Sequence, residues 1–331
     1  MRDPAFWWRP AGASAAMLAP LATAYGAIAQ WRMARPGRAI RVPVLCVGNL
    51  TVGGAGKTPT AIALAELLRA AGRKPFLLSR GYGGRLAGPV RVDAAVRRAA
   101  EVGDEPLLLA RTAPTIVARD RAAGAEVAQV SGADVIVMDD GLQNPSLTKD
   151  LAIVVVDGGR GIGNGKVFPA GPLRAPLQAQ LGHAHAVLVI GPSSGAAEVI
   201  AAAARRKLPV FLGRLEPNAA ALAALRGRKV LAFAGIGDPG KFFATLKAAD
   251  IEVGDRQVFA DHHRYRAGEA ADLIARAERN GLVPVTTEKD FVRLAGEPDL
   301  AALASVTRTL PVKLKLADEG AFRALVLAKL G

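Results

Sequence analysis

With one cysteine among 331 residues, the chain has no means of forming an internal disulfide. Cys46 sits inside an apolar run, so it reads as a small buried hydrophobe in a reducing compartment. Aromatic residues are also scarce, at 5%, although 51% of the chain is apolar. The core must therefore be filled mainly by Ala, Val, Leu and Ile, as buried parallel sheets are. Only four histidines occur. His183-Ala-His185 would share one face of a strand, yet no cysteine or further ligand accompanies it, which argues against a metal pair. Acidic residues are outnumbered, 29 against 43 Lys and Arg, leaving a formal charge of +14. That excess suits nucleic acid, an anionic lipid surface or an acidic small substrate. The sequence has no RNA-binding signature and no basic stretch interleaved with aromatics, so nucleic acid is not expected as a partner.

A strongly apolar long run is missing too. Residues 11–31 carry no charge and would be long enough to span a bilayer, but Ala, Gly, Ser and Thr dominate them and Pro20 interrupts them. Arg2, Arg9, Arg32, Arg35, Arg38 and Arg41 flank this run, with Trp7, Trp8, Tyr25 and Trp31 beside them. That pattern predicts an N-terminal arm over residues 1–38 lying on an anionic membrane surface, with a helix packed on the core as the alternative. Trp7-Trp8-Arg9-Pro10 is a poor lead-in to a secretory signal.

What is present is a glycine-rich turn between an apolar run, Val42 to Val47, and a helix-like stretch beginning near Lys57. Thr51-Val-Gly-Gly-Ala-Gly-Lys-Thr58 departs from the phosphate-binding pattern G-x-x-x-x-G-K-[ST] only at its first position. Thr51, Val52, Gly53, Gly54, Ala55 and Gly56 would present backbone N–H groups to phosphate. Lys57 would reach the β and γ phosphates of ATP, and the Thr58 hydroxyl would ligate Mg²⁺. Further on, Val135-Ile-Val-Met-Asp139-Asp140-Gly141 is an apolar strand ending in two acids, the form of a Walker B element. Asp139 is the expected metal ligand and Asp140 a catalytic acid beside it.

Short apolar runs alternate with helical stretches along the chain, which predicts an α/β fold with a P-loop NTPase-type parallel sheet flanked by helices. A second alternation begins near Lys229, so residues 39–215 form the expected P-loop core and 216–331 a second, smaller α/β domain. The Gly- and Pro-rich stretch from Gly158 to Pro176 is too long for a mere connector and reads as a functional loop.

Seven motifs then occur in order: Asn49-x-x-Val-Gly-Gly-x-Gly-Lys-Thr-Pro59, Ser79-Arg-Gly-Tyr82, Val102-Gly-Asp-Glu-Pro106, Asp139-Asp-Gly-Leu-Gln143, Phe168-Pro-Ala-Gly-Pro-Leu-Arg174, Phe259-Ala-Asp-His262 and Thr287-Glu-Lys-Asp290. Over nearly its whole length the chain resembles the tetraacyldisaccharide 4'-kinases, the lipid A 4'-kinases of Gram-negative bacteria. The resemblance implies an acylated disaccharide lipid substrate, ATP and Mg²⁺ as cofactors, and a peripheral place on the cytoplasmic face of the inner membrane. It also implies that Asp104 is the general base, that His262 pairs with and orients it, and that Arg80 and Tyr82 lie near the phosphates or the acceptor. As a residue, Asp104 before Glu-Pro could equally start a helix.

Three departures from the family pattern stand out. Leu142 and Asn144 replace Phe and His, Ala175 follows Arg174 where Glu is frequent, and Lys149 replaces an arginine. Thr287 to Asp290 could close on the adenine or simply cap a helix. Two other classes share a P-loop: a dimeric switch or metal-insertion ATPase, which often carries an extra lysine early in the loop, and a soluble kinase or synthetase of the dethiobiotin type, which would need no N-terminal arm.

Overall fold

The structure, a computed structural model, describes residues 3–330. Eight strands follow the arm: β1 (Val44–Asn49), β2 (Pro75–Ser79), β3 (Val90–Arg91), β4 (Thr115–Val117), β5 (Val135–Asp139), β6 (Leu151–Asp157), β7 (Ala186–Ile190) and β8 (Val210–Pro217). A second set comprises β9 (Lys229–Ala234), β10 (Glu252–Val258), β11 (Val283–Thr287) and β12 (Arg308–Leu310), and β13 (Val312–Leu316) comes last. The first sheet has nine strands in the order β13-β8-β7-β6-β1-β5-β2-β4-β3, parallel except at its two edges. The second has four, β10-β9-β11-β12, all parallel.

The central strands are apolar throughout because both faces are covered. Along β5, Val135 and Val137 face one core while Ile136 and Met138 face the other, and β6 alternates in the same way. Helix Lys57–Ala70 covers one face with Ala61, Leu64 and Leu68; helices Arg121–Val130 and Ala197–Arg205 cover the opposite face. Small alanines let these helices sit close, which is how a core with few aromatics is filled. Cys46 lies in β1, opposite Met138 and Ala152, fully buried, and burial pushes its thiol up to about 12.

Two corrections to the sequence reading follow. Residues 312–330 do not stay with the second sheet. Strand β13 pairs antiparallel with β8, and helix Glu319–Leu327 puts Phe322 and Val326 into the first core. The alternating Val-Lys-Leu-Lys-Leu of β13 suits a half-exposed edge, and its apolar residues pack on the first sheet.

The second correction concerns the arm. Trp7 is buried, with Nε1 donating to the Pro169 carbonyl at 3.0 Å, and Trp8 stacks under Arg160, so neither belongs to a membrane-facing belt. Helix Ala13–Met33 buries Ala15, Ala22, Gly26 and Met33, and a Cβ at Gly26 would come within 3.6 Å of Pro176 and Val167. Its outward face is the apolar one: Met17 is 80% exposed, Leu21 62%, Ile28 58% and Trp31 61%. Tyr25, on the same side, packs 5.3 Å from Phe168. Among the described residues no helix is long and apolar enough to cross a membrane. Arg2, one of the flanking arginines, lies outside the described residues.

Candidate active site

The turn after β1 stands at the carboxyl ends of the strands, between β5 and β6, where open α/β sheets bind ligands. Gly53 and Gly56 have φ of 99° and 91°, a region that a side chain strongly disfavours. A Cβ on Gly56 would also meet Ile190 at 2.7 Å. Buried Asn49 staples the loop from inside, its Nδ2 donating to the carbonyls of Thr51 (2.8 Å) and Gly53 (3.1 Å). From outside, the Gly158 to Pro176 loop braces it. Val52 N–H donates to Pro172, the Arg174 N–H donates to Leu50, and Arg174 Nε donates to the Thr51 carbonyl at 2.9 Å. The loop is thus held in shape by its neighbours before any phosphate arrives.

Lys57 opens the helix that follows, with Nζ 3.7 Å from Asp140 Oδ2 and 3.5 Å from the Gly53 carbonyl. Burial lowers its ammonium, and Asp140 opposes that. Asp140 is gripped from its other side by Arg174 Nη1 at 2.8 Å. Its φ is 54°; of the four non-glycine residues with positive φ among the described residues, Lys207 and Asp250 simply end helices, while Asp140 and His262 are the two singled out on the sequence. A left-handed non-glycine residue costs about 1–2 kcal/mol, a cost that tertiary contacts must offset.

Asp139 ends β5 almost fully buried, and its Oδ1 has no hydrogen-bond partner among the described residues. Burial and the adjacent Asp140 push its carboxyl up to about 6 despite Lys57 and Arg121. An orphaned buried acceptor beside a P-loop lysine fits a divalent cation, which would restore the charged form. Arg121, also buried, donates from Nη1 to the Ala118 carbonyl, and its Nε has no partner among the described residues. Arg80 is exposed just beyond β2, near enough to help depress the Arg121 guanidinium, after burial the main cause. No hydrogen bond ties Arg80 to the loop among the described residues.

Asp104 comes from the opposite wall. Gly81 and Gly103 let the Ser79 to Tyr82 turn cross the segment that carries it: a Cβ on Gly103 would lie 2.6 Å from the Tyr82 carbonyl, and one on Gly81 2.8 Å from that of Val102. Asp104 is the first residue of helix Asp104–Leu109, and Gly103, not Asp104, takes the capping position. Its carboxylate accepts the Glu105 N–H through Oδ1 and reaches His262, whose Nδ1 lies 3.2 and 3.1 Å from Oδ1 and Oδ2. Oδ2 also accepts from Arg293 Nε at 2.8 Å and from Arg293 Nη2. Burial would raise this carboxyl, but hydrogen bonding with Glu105 and His262 and the charges of Lys289 and Arg293 hold it well below the usual range. Glu105 beside it goes the other way: burial pushes it up to about 7 against the pull of Lys289, whose Nζ is 2.8 Å away. Tyr82 packs edge-on against the His262 ring at 5.0 Å. His263 is engaged elsewhere, with Glu269 at 2.9 Å and stacked on Phe259.

Asp104 and His262 face a cavity of about 460 Å³, whose wall also includes Tyr82, Arg264, Arg293 and Leu300. The sequence motifs located this wall without its cations. Arg174, Glu105 and Lys289 lie inside the seven motifs, with nothing in the local pattern to mark their contacts, and Arg293 lies outside all of them. Thr287 proves to cap helix Glu288–Leu294, accepting from the Asp290 N–H at 3.1 Å, while Lys289 turns to Glu105. The departures are absorbed locally. Asn144 accepts from Ser146 within a turn, Lys149 Nζ donates to the Asn144 carbonyl, and Ala175 is fully buried with its carbonyl accepting from Gln180.

A glycine-rich loop closed by a lysine, a buried acid with an orphaned oxygen beside it and a buried Asp–His pair facing a cavity are parts that suit a phosphoryl transfer to a hydroxyl. Comparison with known proteins points the same way. The family described as tetraacyldisaccharide-1-P 4'-kinase matches residues 14–331. The tetraacyldisaccharide 4'-kinase of Methylobacterium sp. (strain 4-46) is 61% identical over 331 residues, covering 100% of this chain and 97% of that one. That of Nitrobacter winogradskyi is 51% identical over 327 residues, covering 99% and 97%. Among solved structures, LpxK from Aquifex aeolicus in complex with ATP superposes with a TM-score of 0.77 at 28% identity, over 96% of this chain and 99% of its own.

Proposed function

The chain belongs to the tetraacyldisaccharide-1-P 4'-kinase family, and from that we propose that it transfers the γ-phosphoryl group of ATP to the 4'-hydroxyl of a tetraacylated glucosamine disaccharide 1-phosphate, in lipid A biosynthesis. The observation that carries the mechanism is the Asp104–His262 pair set in the wall of a cavity. ATP lies with its phosphates on the Thr51 to Gly56 backbone, and Lys57 compensates their charge. Thr58 and Asp139 would hold Mg²⁺, which when bound neutralises charge on the β and γ oxygens. As the acceptor oxygen bonds to the γ phosphorus and the bond to the ADP oxygen breaks, Asp104 takes the hydroxyl proton. His262 fixes the direction of that carboxylate. Asp140, just past the end of β5, ties the phosphate loop and the Gly158 to Pro176 loop to that strand through Lys57 and Arg174. The test is transfer of label from γ-labelled ATP to the disaccharide lipid. Label in the lipid is the expected result, and ATP hydrolysis without a phosphorylated lipid overturns the reading.

The enzyme works as a peripheral protein on the cytoplasmic face of the inner membrane, seated by the outward face of helix Ala13–Met33, and without a nucleic-acid partner. Met17, Leu21, Tyr25, Ile28 and Trp31 lie along one side of that helix and continue into half-exposed Phe168. Burying each aliphatic side chain contributes roughly 1.5–3 kcal/mol, and arginines near an anionic surface about 1 kcal/mol each. Arg32 and Arg35 are the flanking charges to test, since Arg38 pairs with Glu126. Leu21→Glu with Ile28→Glu is expected to weaken co-sedimentation with phosphatidylglycerol vesicles by about 10²-fold, while kcat on detergent-dispersed acceptor stays unchanged. Equal sedimentation of both proteins at every salt concentration refutes the membrane face.

A further inference from the structure

We propose that Arg293 is a positioning residue for the transfer: it reaches from the second sheet's side of the joint to hold Asp104 by Oδ2, leaving Oδ1 as the oxygen that receives the acceptor's proton. The inference rests on the reading of Asp104 as the base.

Helix Glu288–Leu294 follows β11 and packs against helix Asp104–Leu109. Lys289 and Arg293 are one turn apart on it, so both face the same side, and they meet Glu105 and Asp104 respectively. Arg293 spends Nε and Nη2 on a single carboxylate oxygen, Oδ2. Oδ1 accepts the Glu105 N–H at 3.1 Å and shares His262 Nδ1, with no guanidinium contact.

The guanidinium itself cannot turn freely. Its Nη1 donates to the Gly235 carbonyl and to Asp290 Oδ1, both at 2.8 Å. Asp290 Oδ1 in turn accepts from the Gly235 N–H and from the Tyr265 hydroxyl, and its Oδ2 from the Thr287 hydroxyl. Asp104, Asp290 and Arg293 are all buried. Docking of the two helices has its own apolar support, since Val292 sits in one cluster with Val102, Leu107 and Val117. The ion pair therefore adds direction to a joint that is already packed.

The groups facing Asp104 are Arg293 and Lys289 from the second sheet's helix, His262 from the loop after β10, and Glu105 from its own helix, with Tyr82 against His262. Burial alone would favour the neutral acid, which cannot act as a base. With Arg293 removed, Asp104 would titrate at a higher pH, and the rate would fall off earlier as pH is lowered.

The experiment compares kcat and KM of wild type, Arg293→Met, Arg293→Lys and Asp104→Asn between about pH 5.5 and 9.5, with thermal melts for each. Wild type is expected to show no Asp104 limb in this window. In Arg293→Met, burial without the guanidinium carries the carboxyl up by several pH units, so an acid limb of kcat is expected to appear near the low end of the window, with activity recovering as pH rises and KM for ATP within about two-fold of wild type. Arg293→Lys keeps the charge but not the two-nitrogen grip, so like wild type it shows no acid limb in the window while kcat drops about 10-fold at every pH. A kcat of Arg293→Met that is scaled down equally at all pH values, with no acid limb, overturns the proposal. If Arg293→Met does not fold, Arg293→Lys decides, and wild-type kcat in it overturns the proposal. Asp104→Asn separates the two ideas: an active Asp104→Asn enzyme refutes the base itself, whereas an inactive one beside an unshifted Arg293→Met profile refutes only Arg293.

Discussion

Lys57→Ala is expected to abolish useful turnover, lowering kcat by about 10²- to 10³-fold or more, the loss that removing one preorganised donor to developing charge typically brings. Its ammonium is held ready between Asp140 and the Gly53 carbonyl, so its orientation costs little when phosphate arrives. The fold should persist, because Asp140 keeps its Arg174 partner and the loop keeps its braces from Asn49 and Pro172. Single-turnover transfer measured beside a thermal melt checks both halves. Near wild-type transfer in a folded Lys57→Ala protein would remove the P-loop assignment.

The second large effect belongs to Asp104. Its replacement should lower kcat by about 10²- to 10⁴-fold with little change in KM for ATP, since a base acts on the acceptor in the transition state. Asn is the better substitute than Ala here. Asp104→Ala would leave Nε and Nη2 of buried Arg293 without an acceptor, although Asp290 still balances its charge, whereas the Asn carbonyl can still accept from it. His262→Ala should cost less than Asp104→Asn, because the histidine orients rather than receives the proton. The double variant should then lose much less than the product of the single losses. Multiplicative losses would show two independent roles and break the pair apart.

The P-loop and the strand ending in Asp139 were legible because their chemistry depends on neighbours in sequence: a turn, a lysine and a hydroxyl within eight residues, or an apolar run closed by an acid. The strands of the first sheet were legible for a related reason, since burial on both faces leaves them continuously apolar. Arg293 was not, because its partner is 189 residues away and nothing local marks a guanidinium that will turn inward. The same holds for Arg174, whose contact with Asp140 spans 34 residues although it lies in a recognised motif. On the arm, composition revealed an uncharged helix but not its orientation. Small residues, Ala15, Ala22 and Gly26, face inward there, Gly26 close against Val167 and Pro176, and the large side chains are turned out.

The return of the chain through β13 has a consequence for protein engineering. The unit built on the second sheet is spliced into the first between two strands that pair with each other, Glu216 standing opposite Lys313 and Val312 opposite Pro217. A stop codon near residue 216 would strip away an edge strand and uncover the surface under Phe322 and Val326, so the shortened product should precipitate. An internal excision that joins the end of β8 to the start of β13 through a tight hairpin would leave the nine-stranded sheet intact. Such a minimal scaffold would keep the nucleotide loop while discarding His262, Lys289 and Arg293 together, which makes it the natural vehicle for measuring ATP affinity apart from catalysis.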